Sequence, residues 1–188
     1  MKYWLIFFFL LPGVIALSQT PIQNFTLQNA ADNSTVSLNG CTGCSGVVVI
    51  FTSNACAFDD YYWDRIKSLA TTYQNRIRFL LINSHTGNEE SIEQMATRYR
   101  ALGLNIPYLA DKDQTAMNQL KATRSPEAFL LKNAEGRYTI HYSGAIDDSP
   151  QMADDVKQPY LRNAIENMLA GKRPTSSVRA VGCMIRRK

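Results

Sequence analysis

Four cysteines, Cys41, Cys44, Cys56 and Cys183, are the residues of this 188-residue chain with the most chemistry to offer. Cys56 closes the turn Thr52-Ser53-Asn54-Ala55, between the apolar run Val47 to Phe51 and a helical stretch opening at Ala57. A thiol at such a junction lies beside unpaired backbone N–H groups and the positive end of a helix dipole, which favours the thiolate. The thiolate is the nucleophile of disulfide exchange and of peroxide reduction. Ser53, three residues earlier, carries a hydroxyl that can hydrogen-bond it. Asp59 and Asp60 oppose this, because two carboxylates within a turn offset the dipole. Cys56 also fits as a small buried hydrophobe, the common fate of a free cysteine.

The other cysteines leave several roles open. Cys41-Thr42-Gly43-Cys44 stands in a glycine-rich loop just before the apolar run. It suits a local disulfide, an independent redox pair or half of a metal site. A five- or six-residue strand separates it from Cys56 by about 15–20 Å, so direct exchange between them requires the loop to rearrange. Zinc takes four ligands, and only Cys183, His85 or His141 is left to complete a set. Cys183 is a candidate resolving or structural thiol. Four cysteines allow three full pairings, and sequence alone does not choose among them. The two histidines read as surface or strand residues. No Gly-rich phosphate loop, Ser/His/Asp pattern or acid/base carboxylate pair is present, and no cofactor or metal is implied.

These residues have to be positioned by an ordinary globular chain. Hydrophobic residues make up 45% and charged residues 19% of the sequence, which excludes a disordered composition. The net charge of +4 resides largely in a C-terminal stretch, Lys172 to Lys188, that lacks acidic residues. Without interleaved aromatics for base stacking it reads as a solvated tail and not as a nucleic-acid surface. Val47 to Phe51 predicts a buried central strand, and residues 57–73 a helix with Tyr62, Ile66, Leu69 and Tyr73 on one face. Ile77 to Ile82 follows as a strand and Glu89 to Leu102 as a helix. Next come an extended segment at Ile106 to Leu109 and a helix over Asp113 to Leu120. A hairpin over Ala128 to Tyr142 and a helix over Pro159 to Leu169 complete the series. Alternating elements followed by an antiparallel pair imply an α/β domain with a central mixed sheet flanked by helices.

At the N-terminus, Lys2 precedes an apolar run to Leu11, then Pro12-Gly13 and a small-x-small ending at Ala16 and Ser18. Residues 1–18 therefore read as a cleaved signal peptide, too short and interrupted for a spanning helix. The expectation is an exported protein, periplasmic or secreted, with no stable membrane anchor after cleavage. Export places the cysteines where disulfides persist.

An ordered series of short motifs carries a resemblance. It runs through Val49 to Cys56, Asp64-Arg65-Ile66, Ile82-Asn83-Ser84, Pro107-Tyr108-Leu109 with Asp111, and Ser125-Pro126 before Phe129-Leu130. It ends with Gly144-x-Ile146-Asp147-Asp148 and Val181-Gly182-Cys183-Met184-Ile185. The chain resembles redoxins of the alkyl hydroperoxide reductase / thiol-specific antioxidant superfamily, specifically an exported subgroup with the motif Phe-Thr-Cys-Asn-His-Cys-Pro-Tyr. The resemblance implies a thioredoxin-like fold over residues 19–170, followed by a basic extension, 171–188, carrying Cys183. It also implies that Pro126 is the cis-proline facing the redox turn, leaving the preceding backbone free to pair with a substrate strand.

The departures from that pattern bear on function. Ser53 stands at the first cysteine, and Ala55 and Ala57 replace the His and Pro, so no disulfide can form within the turn. Ser53-x-x-Cys56 resembles part of the peroxiredoxin motif, with Val49 at its proline and Arg124 as the nearest arginine. The expectation is a thiol-dependent oxidoreductase or peroxidase acting through Cys56, with Ser53 and Pro126 as site residues. Cys41, Cys44 and Cys183 are then resolving or disulfide partners, and the reaction partner is a thiol/disulfide protein or a peroxide. The alternatives are a non-enzymatic module binding peptide in the cis-proline groove and, more weakly, metal handling through Cys41 and Cys44.

Overall fold

The computed structural model describes residues 20–41 and 43–188, so the signal-peptide expectation for residues 1–18 lies outside the described residues. In chain order the strands and helices begin with β1 (Thr26–Asn29), β2 (Thr35–Ser37), β3 (Gly46–Phe51), α1 (Ala57–Asp60) and α2 (Trp63–Tyr73). They continue with β4 (Ile77–Asn83), α3 (Ile92–Ala101), β5 (Tyr108–Ala110), α4 (Thr115–Leu120) and β6 (Arg124–Ser125). Last come β7 (Glu127–Ala134), β8 (Arg137–Gly144), α5 (Tyr160–Leu169) and β9 (Cys183–Met184).

Seven strands form one mixed sheet in the order β2-β1-β5-β4-β3-β7-β8. β3 runs parallel to β4, and β4 to β5, while β7 lies antiparallel to β3 and β8. All six residues of β3 are buried. This is why its sequence is continuously apolar: helices cover both faces of the sheet. Alternate residues serve the two faces. Val48 and Ile50 pack with Trp63 and Ile66 of α2, Met95 of α3 and Ile165 of α5. Val47, Val49 and Phe51 pack with Met117 and Leu120 of α4. The arrangement is the thioredoxin-like fold that the motifs implied.

Three helices depart from the expected lengths; the one expected from Glu89 starts instead at Ile92, after a separate 3-10 turn over Asn88–Glu90. The helix over 57–73 is broken after Asp60, and α1 is a single turn of four residues. At the break the Tyr61 carbonyl accepts from the Arg65 guanidinium (2.9 and 3.2 Å). Arg65 also pairs with Asp147 at 2.8 Å and stacks on the Tyr62 ring, 3.8 Å from its centroid, pinning α2 to the segment after β8. The helix expected from Asp113 starts instead at Thr115, because Gln114 adopts a left-handed conformation (φ 57°). The Asp111 carboxylate caps it from outside, accepting from the Ala116 and Met117 amides (3.1 and 2.9 Å).

The basic C-terminal stretch is docked, contrary to the expectation of a solvated tail. Ala145 N–H donates to the Val178 carbonyl (2.8 Å), and Ile185 is buried in the α4-side core. Ile185 N–H donates to Thr123 (2.9 Å), and Gln114 Nε2 to the Arg186 carbonyl (2.7 Å). Burying one isoleucine against water is worth about 1.5–3 kcal/mol, about the backbone entropy cost of one or two ordered residues.

Candidate redox site

The site is built where β3 ends, α1 begins and the tail strand β9 crosses. β3 delivers Thr52 and Ser53 to the C-terminal end of the sheet, where ligands and chemistry collect in open α/β sheets. Cys56 is the N-cap residue of α1 and is 3% exposed. It forms a disulfide with Cys183, with Cα atoms 5.9 Å apart. Its Sγ lies 3.4 Å from the Ser125 carbonyl oxygen. The Ser125–Pro126 peptide bond is cis.

β9 pairs antiparallel with β6, bringing Ser125 opposite Cys183 and Arg124 opposite Met184. The backbone edge preceding Pro126 is therefore occupied by the chain's own tail. Gly182 makes this possible, because a Cβ there would overlap the Ser125 carbonyl. Arg124 Nη1 donates to the Gly182 carbonyl at 3.0 Å, so this arginine secures the tail.

Ser53 is 2% exposed, and its hydroxyl donates to Glu90 Oε1 at 2.5 Å. Its one proton is thus committed to Glu90, and the expected bond to the Cys56 sulfur is not the one formed. Glu90, itself 4% exposed, also accepts from the Asn54 and Ala55 amides (2.9 and 3.2 Å) and from Asn83 Nδ2 (2.6 Å). Burial works against its ionisation, but the bonds from Ser53, Asn54, Asn83 and Ala55 prevail and hold its carboxyl below the usual range. Glu90 thereby fixes the redox turn from beneath. Sequence reasoning missed it, since it placed Glu90 in the first turn of a helix expected from Glu89, where an acidic residue is ordinary.

Asp59 behaves unlike the exposed anion the sequence suggests. It is 1% exposed, and neither carboxyl oxygen has a hydrogen-bond partner. Burial pushes its carboxyl well above the ordinary value, against the weaker pull of the Ser125 hydroxyl and the Ser53 backbone. Desolvation favours the neutral acid, so Asp59 does not offset the field at Cys56 as a charge would. Asp60 is exposed and ion-paired with Arg98. The opposing dipole contribution is also smaller than expected, because α1 is one turn long.

His85 and Lys112 complete the surroundings. His85 Nε2 lies 3.1 Å from Ser125 Oγ, and burial, with Lys112 nearby, lowers its pKa against the pull of Glu90. His85 is thus half-buried against the cis-proline segment and not a surface bystander. His141 is buried on β8. Lys112 Nζ donates to the His85 carbonyl (2.9 Å) and to Asn83 Oδ1 (3.0 Å), and burial pushes it down to about 8.

Cys41 and Cys44 are disulfide-bonded to each other. They precede Gly46, at the opposite end of β3 from Cys56, about 20 Å away along a six-residue strand. With both thiols in this disulfide, neither is free to ligate a metal in the oxidised form.

A buried cysteine at a strand-to-helix turn, disulfide-bonded beside a cis-proline on a thioredoxin-like sheet, defines the class of thioredoxin-like redoxins. The profile of the AhpC/TSA family matches residues 19–146. The chain belongs to the AhpC/TSA family. It is similar to an uncharacterized conserved protein from Geobacillus kaustophilus (26% identity, TM-score 0.80), covering 90% of this chain and 92% of that one. It is similar also to a hypothetical protein from Sinorhizobium meliloti (29% identity, TM-score 0.79), covering 92% and 95%. A secreted Mycobacterium tuberculosis disulfide oxidoreductase shares the fold (16% identity, TM-score 0.56), covering 76% of this chain and 94% of that one. No curated protein matches significantly.

Proposed function

We propose that the protein is a thiol–disulfide oxidoreductase whose working couple is Cys56–Cys183. The observation that carries this is the disulfide between the turn cysteine and the tail cysteine, formed across the cis-proline segment. Ser53 occupies the position of a motif cysteine, and the tail supplies the second sulfur from 127 residues away. Family membership supports redox chemistry in general. The docked tail favours an enzyme over a peptide-binding module, because the strand-addition edge at Ser125 is filled.

A peroxidase cycle uses the same two residues. Cys56 thiolate attacks a peroxide oxygen, releasing an alcohol or water and becoming a sulfenic acid. Cys183 thiol then condenses with it, forming the disulfide and expelling water. Arg124 and Ser53, the groups expected to assist, are engaged with Gly182 and Glu90. Thiol–disulfide exchange is therefore the better-supported reaction.

An oxidising compartment suits both disulfides, and the secreted M. tuberculosis neighbour points the same way. We place the protein outside the cytosol on that basis. Among the described residues no helix is long and apolar enough to cross a membrane.

The test is equilibration of the protein with glutathione redox buffers, reading each cysteine by alkylation and mass spectrometry. Cys56 and Cys183 are expected to open and close together as a two-electron couple, and Cys56→Ser to abolish the transition. A parallel challenge of the reduced protein with hydrogen peroxide measures the peroxidase branch. A Cys56–Cys183 bond that stays intact through millimolar thiol would refute the proposal.

A further inference from the structure

The two sulfurs of the Cys56–Cys183 disulfide are not equally accessible. Cys56 is 3% exposed, enclosed by the turn above Glu90, by α1 and by the Ser125 carbonyl. Cys183 is only partly buried, and the tail is exposed on either side of it, at Val181 (50%) and Met184 (69%). A thiolate attacks a disulfide sulfur along the S–S axis, from the side opposite the leaving sulfur. Cys56 leaves almost no surface open to that approach, whereas part of Cys183 is open to solvent. Beside it lies a cleft of about 290 Å³ lined by Phe58, Arg124, Arg179, Ala180, Val181 and Gly182.

We propose that Cys183 is the sulfur that partner thiols attack, with Cys56 as the leaving group. This rests on the Cys56–Cys183 couple argued above and assigns direction to it. Tail and turn thus divide the labour that a Cys-x-x-Cys turn keeps together: Ser53 is sealed onto Glu90, and the outward-facing cysteine is carried on β9 instead.

The exchange balances in two steps. An external thiolate, RS⁻, attacks Cys183 Sγ, forming R–S–S–Cys183 and releasing Cys56 as thiolate. A second external thiolate attacks the R sulfur, giving R–S–S–R and releasing Cys183 thiolate. Two thiols are oxidised and one protein disulfide is reduced, and the protons lost by the thiols pass to solvent or to the released cysteines. The cleft carries Arg124 and Arg179, so it favours thiols that carry carboxylates.

The oxidised full-length protein is mixed with reduced glutathione, quenched in acid within seconds and alkylated, and each cysteine is read by peptide mass spectrometry. The expected result is glutathione on Cys183 and alkylated Cys56, in at least tenfold excess over the reverse adduct. Comparable adducts on both, or an excess on Cys56, would overturn the assignment and leave the couple standing. A disulfide that resists glutathione for hours would overturn the couple and the assignment together.

Discussion

Replacing Cys183 by serine should cost the fold several kilocalories, and the size follows from where the cross-link sits. The Cys56–Cys183 bond closes a loop across 127 residues, from α1 to the tail. Loop-closure entropy removed from the unfolded chain by such a bond corresponds to about 5 kcal/mol at 25 °C, an upper value because unfolded chains keep some compactness. Cys183 is only partly buried, so a serine there adds little desolvation cost of its own. Urea unfolding of oxidised wild type and Cys183→Ser, both retaining the Cys41–Cys44 bond, measures the difference. With a slope of about 1–3 kcal/mol/M, a loss of 3–5 kcal/mol lowers the midpoint by roughly 1–5 M. The variant's slope should also rise, since its unfolded chain exposes more surface. Cys56→Ser should lose a similar amount, and the double variant no more than either, because one bond is being counted. Equal midpoints and slopes for wild type and Cys183→Ser would refute the reasoning.

Three further outcomes follow from the site. Gly182→Val drives a side chain into the Ser125 carbonyl, so the tail should lift from β6, leaving Cys56 and Cys183 as free thiols in air-oxidised protein. Thiol titration under native conditions checks this, and a fully oxidised variant would contradict it. Asp59→Asn removes a carboxyl whose pKa is raised by burial. A raised carboxyl pKa leaves stability intact below the unfolded value near 3.9 and erodes it as pH climbs toward the folded value. The variant should therefore gain on wild type at neutral pH, on the order of 1–3 kcal/mol, with the gap narrowing toward pH 4 in thermal melts. Glu90→Gln has the opposite sign, because Glu90 is held below its usual pKa and contributes stability above about pH 4. The amide should cost about 1–3 kcal/mol at pH 7 by weakening its bonds to the turn, with the cost shrinking as acid protonates the wild-type carboxyl.

The sheet was legible in the sequence because its signals are local. Val47 to Phe51 is apolar without a break because both faces are covered, and the hairpin carries its turn residues at Asn133 to Gly136. The long first helix was overread for the same reason. Its spacing of Tyr62, Ile66, Leu69 and Tyr73 belongs almost wholly to α2, and nothing local marks Tyr61 as a break stabilised by a distant ion pair. What could not be read was tertiary. Which cysteine joins Cys56 depends on a tail that docks through Ile185 and squeezes past Ser125 at Gly182, contacts without periodicity. Glu90 sits in a polar run, and only the folded chain turns it under the redox turn. Asp59 has the sequence of a surface anion and the surroundings of a core residue.

Carrying the second sulfur on a separately docked strand gives it an effective concentration that the protein can adjust. A cysteine three residues away is fixed by its own turn. Cys183 meets Cys56 only as closely as β9, Ile185 and the contacts around Gln114 hold it. Docking free energy thus becomes reducing or oxidising tendency: a change of about 1.4 kcal/mol in tail binding moves a two-electron couple by about 30 mV. Substitutions on the tail, or an anionic ligand drawn to its arginines, would tune the poise of the couple without touching the turn that houses Cys56.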